Sequence, residues 1–126
     1  MSQPPSVEFL QVSSATFDDE VLNTGAPVVV DFFASWCAPC IALGEALQEL
    51  APALPRGLKI VKVDIDAQPE LALRYGIHSI PTLLFVDHGQ AVAALGGAYP
   101  ASVLLDVFVR FSEGRIALGA EATHAR

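Results

Sequence analysis

Cys37 and Cys40 are the only two cysteines in the chain, and two residues separate them. A pair so spaced can trade electrons with another disulfide, or supply part of a metal site. The backbone that holds the sulfurs decides between these chemistries. Val28 to Phe33 is apolar except for Asp31 and shows no alternation, which predicts a strand covered on both faces, as in a parallel sheet. Pro27 stops whatever precedes that strand. From Cys40 the period changes: Cys40, Leu43, Leu47, Leu50 and Leu54 recur at steps of three and four, so they line one helical face. Pro39 falls in the first turn, where a missing N–H costs nothing.

This geometry divides the two thiols. Cys37 lies just before the first turn, where free N–H groups and the helix dipole stabilise an anion. Cys40 lies inside the helix and faces the core. The sequence therefore predicts one exposed, acidified thiol with a second waiting behind it. The thiolate is the nucleophile in disulfide exchange. A partner two residues away can attack the resulting mixed disulfide before it escapes.

Competing readings exist for each residue. A zinc site needs about four ligands, and only the scattered His78, His88 and His124 remain to complete one; no metal is expected. A purely structural disulfide would be unusual in a reducing compartment. Asp31 interrupts a buried strand, so its pKa should rise and make it a base near neutral pH; a carboxylate satisfied by backbone N–H groups is the plainer alternative. Lys62, on the next strand, would moderate that rise, or would be an ordinary solvated lysine. Trp36 is either surface cover or, beside a reactive thiol, a docking residue. His78 is a solvated loop residue or an influence on the charge of the site. Gly97 breaks a strand.

Length and composition set the frame. The 126 residues predict one domain, with a lead-in at 1–6, the folded unit at 7–114 and a tail at 115–126. With 52% apolar and 17% charged residues the chain is globular. A net charge of −7 argues against nucleic acid and anionic membranes as partners. No apolar run approaches the roughly 18 residues of a membrane span. The first residues do not read as a signal peptide, so a cytoplasmic location is expected.

In chain order, Val7 to Val12 reads as a first strand. Thr16 reads as the N-cap of a short helix that carries Asp18, Asp19 and Glu20 in its first turn and runs to about Asn23. After the Val28–Phe33 strand and the cysteine-bearing helix to about Ala53, Leu58 to Val63 is a third strand. Pro69 opens a helix that Gly76 stops. Thr82 to Val86 and Ala91 to Leu95 form a hairpin around Asp87-His88-Gly89-Gln90. Pro100 opens a final helix with Val103, Leu104, Val107, Phe108 and Phe111 on one face. The order β-α-β-α-β-α-β-β-α predicts an α/β fold: a mixed, mostly parallel five-stranded sheet flanked by four helices.

Five motifs, in order and spacing, resemble the thioredoxin family. They are Val30-Asp31-Phe32, Trp36-Cys37-Ala38-Pro39-Cys40, Lys62 with Val63-Asp64-Ile65-Asp66, Tyr75-Gly76-Ile77 with Ile80-Pro81-Thr82, and Gly97. The likeness spans roughly residues 8 to 112. It implies a thioredoxin fold, protein-disulfide reductase activity, and no cofactor beyond a redox-active Cys37–Cys40 disulfide. It also implies a monomer that acts on disulfide-containing proteins and is recycled by an NADPH-dependent flavoprotein reductase. By this likeness Cys37 is the attacking thiol, Cys40 the resolving thiol, and Asp31 the carboxylate that handles the proton of Cys40, with Lys62 beside it. Trp36, Ala38, Pro39, Ile80 and Gly97 are parts of the flat apolar surface where the partner lies, and Pro81 is a cis proline facing the cysteines. The chain departs from the family pattern at Ala38 for glycine, Ile41 for lysine, Glu45 for proline and Phe33 for tryptophan. The two rival functions are a disulfide oxidant or isomerase, and a binding module whose redox chemistry is incidental.

Overall fold

A computed structural model describes residues 7–115; the lead-in at 1–6 and the tail from 116 onward lie outside the described residues. Five strands form one sheet: β1 (Leu10–Gln11), β2 (Val28–Phe33), β3 (Lys59–Asp64), β4 (Thr82–Asp87) and β5 (Gln90–Gly96). Their order across the sheet is β1-β3-β2-β4-β5. β1 and β2 both run parallel to β3, β4 runs antiparallel to β2, and β5 antiparallel to β4. Four strands therefore share one direction and only β4 opposes them. The β4–β5 hairpin turns at His88 and Gly89, whose φ values of 51° and 79° are both positive, the requirement of the tight turn that matches strand twist.

β2 lies in the middle, hydrogen-bonded on both sides. Five of its six residues are buried and Phe33 is half-buried; the missing alternation follows from cover on both faces. Val28, Val30 and Phe32 turn one way, towards Phe17 and Val21 of a π-helical turn (Asp18–Leu22) and Leu71 of helix α2 (Pro69–Arg74). Val29 turns the other way, towards Leu43, Leu47 and Leu50 of helix α1 (Ala38–Leu50) and Leu104, Phe108 and Phe111 of helix α3 (Ala101–Ser112). Successive strand residues alternate faces, so Asp31 points to the α1 side.

Two local expectations need correction. The first strand is two residues long, not six. Upstream of it the backbone of Val7 is held by a side chain: both its N–H and its carbonyl bond the amide of Gln48 on α1. Thr16 does not cap the first helical turn. The Ser13 carbonyl accepts from the N–H groups of Thr16 and Phe17, while the Thr16 hydroxyl reaches back to accept from the Ser13 N–H at 2.9 Å. Only the backward half of a capping box is therefore made, and the turn is otherwise closed by backbone bonds to the Ser13 carbonyl. The cysteine helix runs unbroken to Leu50, past Glu45, and tightens into a 3-10 turn at Ala51–Ala53.

Candidate active site

Cys37 is the N-cap of α1, in an extended conformation, and Cys40 lies in the first turn beside Pro39. The two are joined as a disulfide with their Cα atoms 5.2 Å apart, inside the span such a bond needs. The Cys37 sulfur also accepts the backbone N–H of Cys40 at 3.2 Å. A sulfur in that place satisfies a donor the helix leaves unpaired, and sits where negative charge is favoured.

The expected contrast in exposure is absent. Cys37 is 5% exposed and Cys40 4%. Both sulfurs are wrapped by Ala34, Phe33, Ile65 and Ile80. The two cysteines differ in place along the helix end, cap against first turn, and not in depth. Sequence spacing gave the helical positions but could not supply the walls, which come from three other segments.

Asp31 is 0% exposed, and neither carboxylate oxygen has a hydrogen-bond partner within the protein. The alternative of a carboxylate satisfied by backbone N–H groups is therefore overturned: those groups are spent on the two neighbouring strands. Lys62 faces Asp31 in the β2–β3 register. Its ammonium lies 3.7 Å from Oδ2, an ion pair too long for a hydrogen bond, and 4.5 Å from the centre of the Phe33 ring. Burial pushes the Asp31 carboxyl from 3.8 up to about 6, with Lys62 offsetting part of the rise. A carboxylic acid of that strength can exchange a proton near neutral pH.

Around the sulfurs Trp36 is 69% exposed and Ile41 54%. Ala38 and Pro39 are exposed, Ile80 and Gly97 half-buried and Pro81 buried. The Ile80–Pro81 peptide is cis. The Ile80 carbonyl lies 4.0 Å from the Cys37 sulfur, and the Pro81 carbonyl accepts from the Gly97 N–H at 2.9 Å. Gly97 has a φ of 101°, a conformation glycine adopts without strain. It thus ends β5 and also ties the proline loop in place. His78 is exposed, in the loop before Ile80.

One contributor was missed in the sequence. The Trp36 indole N–H donates to Asp66 Oδ2 at 2.7 Å, and the Asp66 N–H in turn donates to Asp64 Oδ1 at 2.9 Å. The signal was the two aspartates of the Val63-Asp64-Ile65-Asp66 motif, to which no role at the site was given. Among the described residues no group of three or more His, Cys, Asp or Glu could hold a metal ion, and no helix is long and apolar enough to cross a membrane.

A buried cysteine pair at a helix end, a buried base and a rim of exposed apolar residues can together perform thiol–disulfide exchange. Comparison with known proteins points the same way. The family model described as Thioredoxin matches residues 8–110. The chain is 44% identical over 94 residues to Thioredoxin 1 of Nostoc sp., an alignment covering 75% of this chain and 88% of that protein. It is 40% identical over 101 residues to a thioredoxin of Pyropia yezoensis, covering 80% and 94%. Over 97 residues it is 40% identical to a thioredoxin of Haemophilus influenzae, covering 77% and 91%.

Proposed function

From the premise that the chain belongs to the thioredoxin family and is a protein-disulfide reductase, we propose how its residues divide the work. The Cys37 thiolate attacks one sulfur of a protein disulfide. A Cys37–substrate bond forms, the substrate S–S bond breaks, and one substrate thiolate leaves. Asp31 takes the proton of Cys40. The Cys40 thiolate then attacks the Cys37 sulfur, the mixed disulfide breaks, and the second substrate thiolate leaves. Two electrons have moved to the substrate, and the Cys37–Cys40 disulfide is the oxidised product.

The observation that carries this reading is the position of Cys37. Its sulfur, capping α1 and accepting the Cys40 N–H, is both where a thiolate is favoured and within bonding range of its partner. Lys62 limits the cost of charge on Asp31. Trp36, Ala38, Pro39, Ile80 and Gly97 form the surface on which the partner rests, and an extended substrate segment pairs with the backbone beside Pro81. Family members need no bound cofactor, because the cysteine pair is itself the redox centre. An NADPH-dependent flavoprotein reductase returns the pair to the dithiol, and the protein works as a monomer in the cytoplasm.

Insulin reduction, driven by NADPH and a thioredoxin reductase, tests the reading. The wild-type protein should accelerate precipitation of the insulin B chain, Cys37→Ser should abolish it, and Cys40→Ser should accumulate a mixed disulfide. A binding module would leave the precipitation rate unchanged. The reduction potential against glutathione separates a reductant from an oxidant or isomerase.

A further inference from the structure

A recess of about 500 Å³ opens on the α1 side of the sheet, away from the cysteine rim. Its walls are the backbone segment Val7 to Gln11, Gly44 and Gln48 of α1, and Lys62 of β3. Lys62 is the one lining residue ion-paired to Asp31, and its side chain is 21% exposed. The carboxylate itself is sealed. Solvent at this recess therefore meets the Lys62 side of the Asp31–Lys62 pair.

The segment that borders the recess is secured unusually. It contributes only two residues to the sheet, and Gln48 fastens its start by bonding both backbone groups of Val7. The opposite wall is low because residue 44 is glycine. An added Cβ there would lie 3.8 Å from the Lys62 nitrogen, ordinary contact distance. Sterics thus tolerate a side chain at 44, and glycine inside a helix costs about 1 kcal/mol relative to alanine.

We propose that this recess is the proton port of Asp31, and that Gln48 is a positioning residue that sets its opening by holding Val7 to Gln11 against Lys62. After Asp31 takes the Cys40 proton, water entering beside Lys62 carries that proton to bulk, so the base is reset from the side opposite to the docked substrate. Dissociation leaves the carboxylate paired with the Lys62 ammonium, and the charge balance is kept by a hydronium or buffer acid in solvent. Among the described residues, Lys62 on β3 is the titratable group that faces Asp31, and Glu8 lines the recess beside it. β4 offers Leu83 opposite Asp31. This inference rests on Asp31 acting as the base.

Two opposed variants test it in the oxidised protein, where neither cysteine titrates. Gln48→Ala frees the segment and admits water, so the Asp31 titration, followed by the carboxyl carbon in NMR, should move down by about half a pH unit or more. Gly44→Leu fills the recess and pushes the ammonium outward, so the titration should move up by a similar amount. General loosening of the fold would move both variants in one direction. Opposite shifts support the port; equal, same-sign or absent shifts overturn it. If Gln48→Ala fails to fold, an unmoved titration in Gly44→Leu overturns it alone. Normal turnover in Asp31→Asn would instead remove Asp31 from the reaction, and the port with it, while leaving a recess beside Lys62.

Discussion

Asp31 and Lys62 occupy paired positions on adjacent parallel strands, and the ammonium stands 3.7 Å from a carboxylate that no hydrogen bond satisfies. A carboxyl held up by burial binds a proton that the unfolded chain has already released. Between the unfolded value and the folded one the native state holds more protons, so stability falls as pH rises. At about 1.4 kcal/mol per pH unit, the rise from 3.8 to about 6 makes a loss of about 3 kcal/mol between pH 4 and 7. Asp31→Asn should flatten this slope and raise the urea midpoint at pH 7, and should slow turnover. Denaturation curves of both proteins across pH check it; parallel curves would contradict it.

The cysteines are equally deep, so selective labelling must come from the helix end. Iodoacetamide at neutral pH should alkylate Cys37 of the reduced protein well before Cys40, because the anion is favoured at the cap. Peptide mapping after brief exposure gives the ratio, and equal labelling would contradict the division.

Asp66 holds the Trp36 indole at the rim. Removing a hydrogen bond of this kind costs about 1 kcal/mol, close to fivefold in affinity. Asp66→Ala should raise KM for protein disulfides by about that factor and leave kcat nearly constant. It should also shift fluorescence, since Trp36 is the only tryptophan.

Gly97 joins a φ of 101° to a hydrogen bond with the Pro81 carbonyl. Gly97→Ala places a Cβ against the Tyr99 ring at 3.7 Å, so the cost is conformational and not a clash. About 1–3 kcal/mol of stability should be lost, read as a lower urea midpoint, with weaker substrate binding from a displaced proline loop.

Much of this was legible in the residues. β2 follows from an unbroken apolar run, α1 from a period of 3.6 and the β4–β5 hairpin from His88-Gly89, because each is decided by neighbours in sequence. Asp31 stood out as a lone charge in an apolar strand. Three of the failures share a cause, which is a contact with a residue distant in sequence. Gln48 holds Val7 from 41 residues away and takes it out of the expected strand. Asp66 finds Trp36 across 30 residues. Cys37 is covered by Ile65 and Ile80, which no local spacing around the motif announces. Thr16 failed for a local reason: its hydroxyl is spent on the Ser13 N–H and not on the head of the helix.

β2 is gripped along both edges and both faces, and α1 is rooted in the same interior by Leu43, Leu47 and Leu50. Gain or loss of two electrons therefore acts on a stiff chassis. The parts free to register it are the crest residues Trp36, Ala38 and Pro39. Any protein that must tell the charged form from the spent one has to feel for the difference at that crest.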